Sequence, residues 1–175
     1  MSVSKLMDEV AIERALTRMA HEIVERAEDT KAIALLGVQT GGVELGQRLA
    51  EKLKTILGHP VPCGALDITM HRDDIALRKK LPVAHKTHVP FDIKGKHIIL
   101  VDDVLFSGRS TRAAMDEITD FGRPARIQLA VLVDRGHREL PIKADYVGKN
   151  IPTSKEQKVR VRVKEVDGVD EVVVE

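Results

Sequence analysis

The chain contains no tryptophan, one tyrosine and three phenylalanines in 175 residues. Single-stranded nucleic acid bound by stacking bases on aromatic rings would find few rings here. One cysteine, Cys63, excludes an internal disulfide and a zinc site built from cysteines. No apolar run approaches the ~20 residues that a helix needs to cross a bilayer, and the N-terminus has no secretory apolar core. A reducing cytoplasm is the expected setting. The formal net charge is only +1, so any contact with nucleic acid must come from a local patch rather than a global field. What is present is 43% hydrophobic and 31% charged, the composition of a soluble globular protein. Its length is most simply one domain over residues 1–175 with a real core.

One stretch organises the rest: His97-Ile-Ile-Leu-Val-Asp-Asp-Val-Leu-Phe-Ser-Gly-Arg-Ser-Thr111. Ile98 to Val101 is an apolar run long enough for one buried strand and too short for a buried helix. Asp102 and Asp103 end that run. Ser107, Gly108, Arg109, Ser110 and Thr111 then precede a helical stretch from Arg112 to Phe121. Amides and hydroxyls at a helix start cradle a phosphate, and carboxylates accept hydrogen bonds from ribose hydroxyls. The plain alternative is a solvated Asp pair followed by a Ser/Thr cap. Adjacent like charges at a buried strand end, and three hydroxyls where a cap needs one, favour the sugar-phosphate site.

Along the chain, apolar residues from Asp8 to Glu28 recur at helical spacing, and Arg14, Thr17, Arg18 and His21 form one polar stripe on the other face. Taken alone, that stripe is a solvated face whose arginines pair with Glu13, Glu22 or Glu25. Lys31 to Leu36 reads as a strand, Gly37-Val-Gln-Thr-Gly-Gly42 as a second anion loop or a tight turn, and Val43 to Leu57 as a helix. Cys63 to Met70 is the next strand. Residues 71–90 lose periodicity and accumulate charge (Arg72, Asp73, Asp74, Arg78, Lys79, Lys80), at about twenty residues too long for an idle connection. A flexible lid or a disordered excursion fits them. Ala125 to Val133 is an apolar strand, and Asp134-Arg-Gly-His-Arg-Glu-Leu-Pro141 is a polar loop at its ligand edge. Tyr146 to Pro152 is short and turn-bounded. Val159, Val161 and Val163 alternate with cations, then a turn at Val166-Asp-Gly168 and a return at Val172 to Val174 make a C-terminal hairpin.

The central stretch resembles the phosphoribosyl pyrophosphate (PRPP) motif of the type I phosphoribosyltransferases: four apolar residues, two acids, three mostly apolar residues, then Ser/Thr-Gly-x-Ser/Thr. The resemblance implies an α/β fold with a central, mostly parallel sheet flanked by helices and a small hood from the terminal segments. It implies Mg²⁺ as cofactor and a ribosyl cation-like transition state. Asp102 and Asp103 would hold the ribose hydroxyls, directly or through Mg²⁺. Phe106 to Thr111 would hold the 5′-phosphate, and Gln39, Thr40 and Gly41 the pyrophosphate. Hypoxanthine-type relatives carry an aspartate where this chain has Phe106, which argues for a pyrimidine acceptor such as uracil. By analogy the base falls to Asp134, Arg135 and the backbone near Val159, with an ordinary surface loop as the alternative.

Three further segments, Ala15 to Glu22, Val133 to Ile142 and Ala144 to Ser154, are similar to the PyrR family of pyrimidine regulators. Members bind leader RNA of pyrimidine biosynthetic transcripts when loaded with UMP or UTP, promoting transcription attenuation, and many make UMP from uracil and PRPP. The resemblance makes Thr17, Arg18, His21, Arg138 and Lys143 an RNA face, with lysine at Lys143 where relatives often carry arginine. Lysine keeps the charge but not the two-pronged fork to phosphate. Homodimers and often tetramers are expected, with the RNA face spanning a dimer and no membrane partner. Two other functions fit the same residues: a salvage transferase without RNA binding, and a nucleotide-sensing regulator without chemistry.

Overall fold

The computed structural model describes residues 2–71 and 87–175. The expected lid lies outside the described residues over 72–86, which takes in Arg72, Asp73, Asp74, Arg78, Lys79 and Lys80. Five parallel strands form the main sheet: β2 (Ile33–Val38), β3 (Cys63–Leu66), β4 (His97–Leu105), β5 (Arg126–Asp134) and β6 (Tyr146–Asn150), in the order β3-β2-β4-β5-β6. A three-stranded antiparallel sheet, β1-β8-β7, joins β1 (Ser4–Met7) to β7 (Val159–Arg162) and β8 (Glu171–Val174). This is the hood expected from the terminal segments, and β7 and β8 are the expected hairpin. The hairpin turn holds a short helix, α4 (Lys164–Asp167), rather than a plain reversal.

Side-chain alternation divides the core into two layers. Ile33, Leu35, Ile99 and Val101 face one side of the main sheet, where α1 (Glu9–Arg26) and α2 (Gly41–Leu57) cover them. Ala34, Leu36, Ile98 and Leu100 face the other, with Ala113, Ala114 and Ile118 of α3 (Arg109–Phe121). β2 is buried throughout because helices lie on both faces. The chain leaves β2 toward β3 on one side and leaves β4 toward β5 and β6 on the other. The carboxyl ends of β2 and β4 therefore flank the switch point of the sheet, where α/β proteins bind ligands.

Several boundaries differ from the sequence expectation for local reasons. The third strand stops at Leu66 rather than Met70. The Asp67 carboxylate accepts the Thr69 N–H at 3.0 Å and the Thr69 hydroxyl at 2.6 Å, which bends the chain into a 3-10 turn at Thr69–His71. The central strand continues through both aspartates to Leu105, paired with β5 as far as Asp134. Tyr146 to Asn150 proves to be the outer strand β6. Arg18 of α1 donates to its Val147 and Gly148 carbonyls at 3.2 and 2.6 Å, and Arg26 donates to Asp145 O at 2.9 Å. Two arginines thus engage the outermost strand of the sheet.

The hood is fastened to α2 by one arginine. Arg48 makes a two-pronged pair with Asp170 at 2.8 and 3.1 Å and a second with Glu165, and its side chain is only 18% exposed. Burial pushes the Asp170 carboxyl up, but the bonds from Arg48 and the Lys164 N–H outweigh it and hold it below the usual carboxylate range. The Arg48 bond does the same for Glu165. Groups held low stabilise the fold above their unfolded pKa, about 4, and lose that contribution as pH falls through the folded value. Arg48→Ala is expected to cost about 2 kcal/mol at pH 7, the scale of hydrogen bonds to charged groups. Urea denaturation should show the gap between wild type and variant closing below about pH 4.

Candidate functional site

The loop after β2 is wedged against the acid pair. A Cβ at Gly41 would lie 2.1 Å from Asp103 Oδ2, and one at Gly42 would lie 2.2 Å from the Val101 carbonyl. Only glycine lets this backbone approach β4 so closely. The Gln39–Thr40 peptide in this loop is cis. The structure therefore brings Gln39, Thr40 and Gly41 beside Asp102 and Asp103, two segments more than sixty residues apart in the chain.

Each aspartate spends Oδ1 on a main-chain amide: Asp102 accepts the Asp103 N–H and Asp103 accepts the Val104 N–H, both at 2.8 Å. The two Oδ2 atoms remain. Burial, then the adjacent Asp103 charge, pushes the Asp102 carboxyl well above the usual carboxylate range. Among the described residues no cation of the chain forms an ion pair with either aspartate. Half-buried like charges with oxygens to spare are a donor set suited to Mg²⁺ and to hydroxyls.

Next to the acids, Phe106 to Thr111 turns into α3. The helix is capped by Gly108, at φ +93° with no side chain to offer, and its first turn carries no acid. Among the described residues the Ser107 hydroxyl takes one bond, from the Arg109 N–H at 3.3 Å. The amides of the first turn and the exposed Ser110 hydroxyl are donors of the kind that suits an anion, a candidate cradle. Thr111 is buried. Arg109 pairs with Glu139 at 2.9 Å.

Behind this cradle stands the loop from Asp134 to Ile142. Arg135 N–H bonds Leu105 O at 3.1 Å, and the Glu139 and Leu140 amides bond Ser107 O at 2.9 and 3.1 Å. Arg138, expected on an RNA face, is turned inward. Its guanidinium donates to Phe106 O at 2.8 Å, Ile142 O at 2.9 Å and Asp134 Oδ2 at 2.7 Å. Arg138 is thus a brace for the loop that leads into α3, and Asp134 is spent on it.

Arg135 is 8% exposed and stacks its guanidinium over the Phe106 ring, 4.2 Å from the centroid. Burial pushes its pKa down, and its Nε has no acceptor among the described residues. Arg135 Nη2 donates to Ser154 O at 2.9 Å, and Thr153 Oγ1 donates to Arg135 O at 3.0 Å. His137 reaches Thr153 O and lies 5.9 Å from Phe106, centroid to centroid. Thr153, Ser154 and His137 escape a reading of the sequence, because single polar residues in a loop carry no periodic signal. Val159 lies on β7, which packs against β4, and its register partner is Val174 of β8 rather than the Asp134–Arg135 loop.

On α1, Arg14, Thr17, Arg18 and His21 are all exposed. The Thr17 hydroxyl bonds Glu13 O at 2.9 Å, and Arg18 pairs with Glu22 at 2.8 Å besides holding β6. Arg14 and His21 have no ion pair among the described residues. Lys143 is exposed just ahead of β6.

The Phosphoribosyl transferase domain family matches residues 2–165. A solved hypoxanthine phosphoribosyl transferase of Trypanosoma cruzi superposes with a TM-score of 0.73 at 22% identity, over 98% of this chain and 90% of that one. A hypoxanthine-guanine phosphoribosyltransferase of Bacillus anthracis superposes with a TM-score of 0.66 at 21% identity, over 87% and 86%. At such identities the likeness is one of fold. In sequence, the chain is 54% identical to the Bifunctional protein PyrR of Roseiflexus sp. (strain RS-1), over 96% of this chain and 92% of that protein. It is also 54% identical to the protein of that name from Listeria monocytogenes serotype 4a, over 97% and 94%. Acid pair, glycine loop, phosphate cradle and full-length similarity agree: the chain belongs to the phosphoribosyltransferase family and, within it, to the PyrR proteins.

Proposed function

We propose that the chain transfers phosphoribose from PRPP to uracil, giving UMP and pyrophosphate, and that it binds pyrimidine-operon leader RNA when loaded with uridine nucleotide. The observation that carries the transferase half is the seating of Asp103 against Gly41. On this reading the acid pair serves the ribose and the glycine loop serves the pyrophosphate, and their close contact supports one shared site. Gln39, Thr40 and Gly41 bind the pyrophosphate through their backbone, and Phe106 to Thr111 anchor the 5′-phosphate. Asp102 and Asp103 orient the ribose through its hydroxyls, which fixes the anomeric carbon for attack. Mg²⁺ held between the acid pair and the substrate would neutralise charge on the departing pyrophosphate.

For the acceptor, Phe106 offers no carboxylate for a purine ring proton, which favours uracil. The Arg135 stack fixes the Phe106 ring beside the loop that Thr153 and Ser154 close off. The regulatory half rests on similarity to relatives named bifunctional. Its RNA face is read as Thr17, Arg18, His21 and Lys143, with Arg138 engaged inside its own loop and exposed Arg14 added from the same stripe, and it spans a homodimer and operates in the cytoplasm.

A salvage enzyme without RNA binding has one observation in its favour. The Arg18 and Arg138 guanidiniums are engaged with main-chain carbonyls of their own chain. Variants separate the two. Asp103→Asn should lower UMP synthesis from uracil and PRPP at least about a hundredfold, the scale of removing one group that stabilises a transition state, while keeping the wild-type melting midpoint. Undiminished activity would remove the acid pair from the mechanism. Gly41→Ala places a methyl in the space of the Asp103 carboxylate and should raise the KM for PRPP at least about tenfold, about 1.4 kcal/mol of binding.

For RNA, Arg14→Ala should weaken leader retention on filters and flatten its salt dependence by about one unit of slope, the effect of neutralising one phosphate fewer. UMP synthesis and melting should stay as in wild type. Arg18→Ala should weaken RNA retention and also lower the melting midpoint, because it frees the β6 carbonyls. Retention that neither variant changes would leave the salvage enzyme.

A further inference from the structure

Away from the acid pair, three ligand-type side chains converge beside the 3-10 turn that follows β3. His71 Nε2 lies 2.7 Å from Glu117 Oε2 and 3.3 Å from Asp120 Oδ2. All three donor atoms lie within 4.8 Å of one another. Glu117 and Asp120 are three apart on α3, so they project from one face of the helix. His71 approaches that face from a separate element.

A neutral imidazole Nε2 has one proton to donate and cannot satisfy two carboxylates at once. A metal ion between them would engage all three donor atoms. The other Glu117 oxygen is already fixed: Thr87 Oγ1 accepts the Asp67 N–H at 2.9 Å and so points its proton at Glu117 Oε1, 3.2 Å away. A hydroxyl orienting a carboxylate from behind is how outer residues hold metal ligands in place. The Arg112 guanidinium donates to His71 O at 3.3 Å, holding the backbone of the turn against α3. Adjacent donors in a tetrahedral zinc site are separated by about 3.3 Å, given metal–ligand distances near 2.0–2.2 Å. The His71–Asp120 spacing meets that, and the His71–Glu117 spacing needs to open by about half an ångström.

We propose that His71, Glu117 and Asp120 bind a divalent transition-metal ion of the zinc type, with water completing the shell. One imidazole nitrogen with two carboxylates selects this class over Mg²⁺ or Ca²⁺, which take oxygen shells. The ion would staple the turn after β3 to the helix that begins at the phosphate loop. It is separate from the Asp102–Asp103 pair.

The test is competition for Zn²⁺ between the full-length chain and a chromogenic chelator, in millimolar Mg²⁺ to fill hard oxygen sites. Wild type should take up one tight Zn²⁺ per chain. His71→Ala and Glu117→Gln should each weaken uptake at least about a hundredfold, and Thr87→Val about tenfold as an outer-shell loss. Asp120, whose side chain is 64% exposed, gives a variant that leaves the core intact, and Asp120→Asn should weaken uptake while melting as wild type does without metal. Zn²⁺ should raise the melting midpoint of wild type and not that of His71→Ala. Absence of a tight zinc ion in wild type, or equal uptake by wild type, Glu117→Gln and Asp120→Asn, would overturn the proposal. Either result would leave the cluster as a histidine–carboxylate contact that fastens the turn to α3.

Discussion

The structure depends on one close approach: the backbone of Gly41 lies where any side chain would strike the Asp103 carboxylate. Parallel pairing of β2 and β4 sets it up, because it brings their carboxyl ends level at the switch point of the sheet. A loop able to offer amides to an anion and a strand end bearing two carboxylates then become one site. The cost is electrostatic. Burial, and then the Asp103 charge beside it, raises the Asp102 pKa. A cation or hydroxyl donors placed there would offset that cost.

The second constraint lies behind the site. The loop leading into α3 is held from below by the Asp134 to Ile142 loop through main-chain bonds to Leu105 and Ser107, and through the three-way Arg138 brace. The same loop reaches Thr153 and Ser154, which lead into the hood strand β7. The loop at Phe106 to Thr111, the end of β5 and the approach to the hood are thereby tied into one hydrogen-bonded unit. On the other side of the sheet edge, Arg18 ties the expected RNA stripe to β6, whose neighbour β5 ends in that unit. Hydrogen bonds thus link the loop at Phe106, through β5 and β6, to α1.

Much of this is legible in the sequence because it has a period or a spacing. Ile98 to Val101, the valines of β7 and the apolar stripe of α1 declare buried faces by alternation or helical repeat. Asp102-Asp103 and Ser107-Gly108-Arg109-Ser110 declare the site by adjacency. The seating of Gly41 on Asp103 is a tertiary contact that no local pattern contains. The end of β3 depends on a side-chain turn at Asp67, which overrides the alternation of Leu66, Ile68 and Met70. β6 is hard to read because its Gly148 and flanking polar residues give it a weak strand pattern, and two arginines from α1 supply what its sequence lacks. Arg138 is legible as important but not as inward-facing, since sequence shows a charge and not its partner.

If nucleotide pocket and RNA face belong to one device, nucleotide must change RNA affinity, which is linkage and works in both directions. The most direct measurement is filter retention of a pyrimidine-operon leader hairpin by the wild-type chain at fixed salt, with and without UMP. The account predicts sequence-selective retention that UMP strengthens several-fold. Weak retention that ignores both UMP and RNA sequence would contradict it, leaving a uracil transferase whose α1 stripe is an ordinary charged helix face.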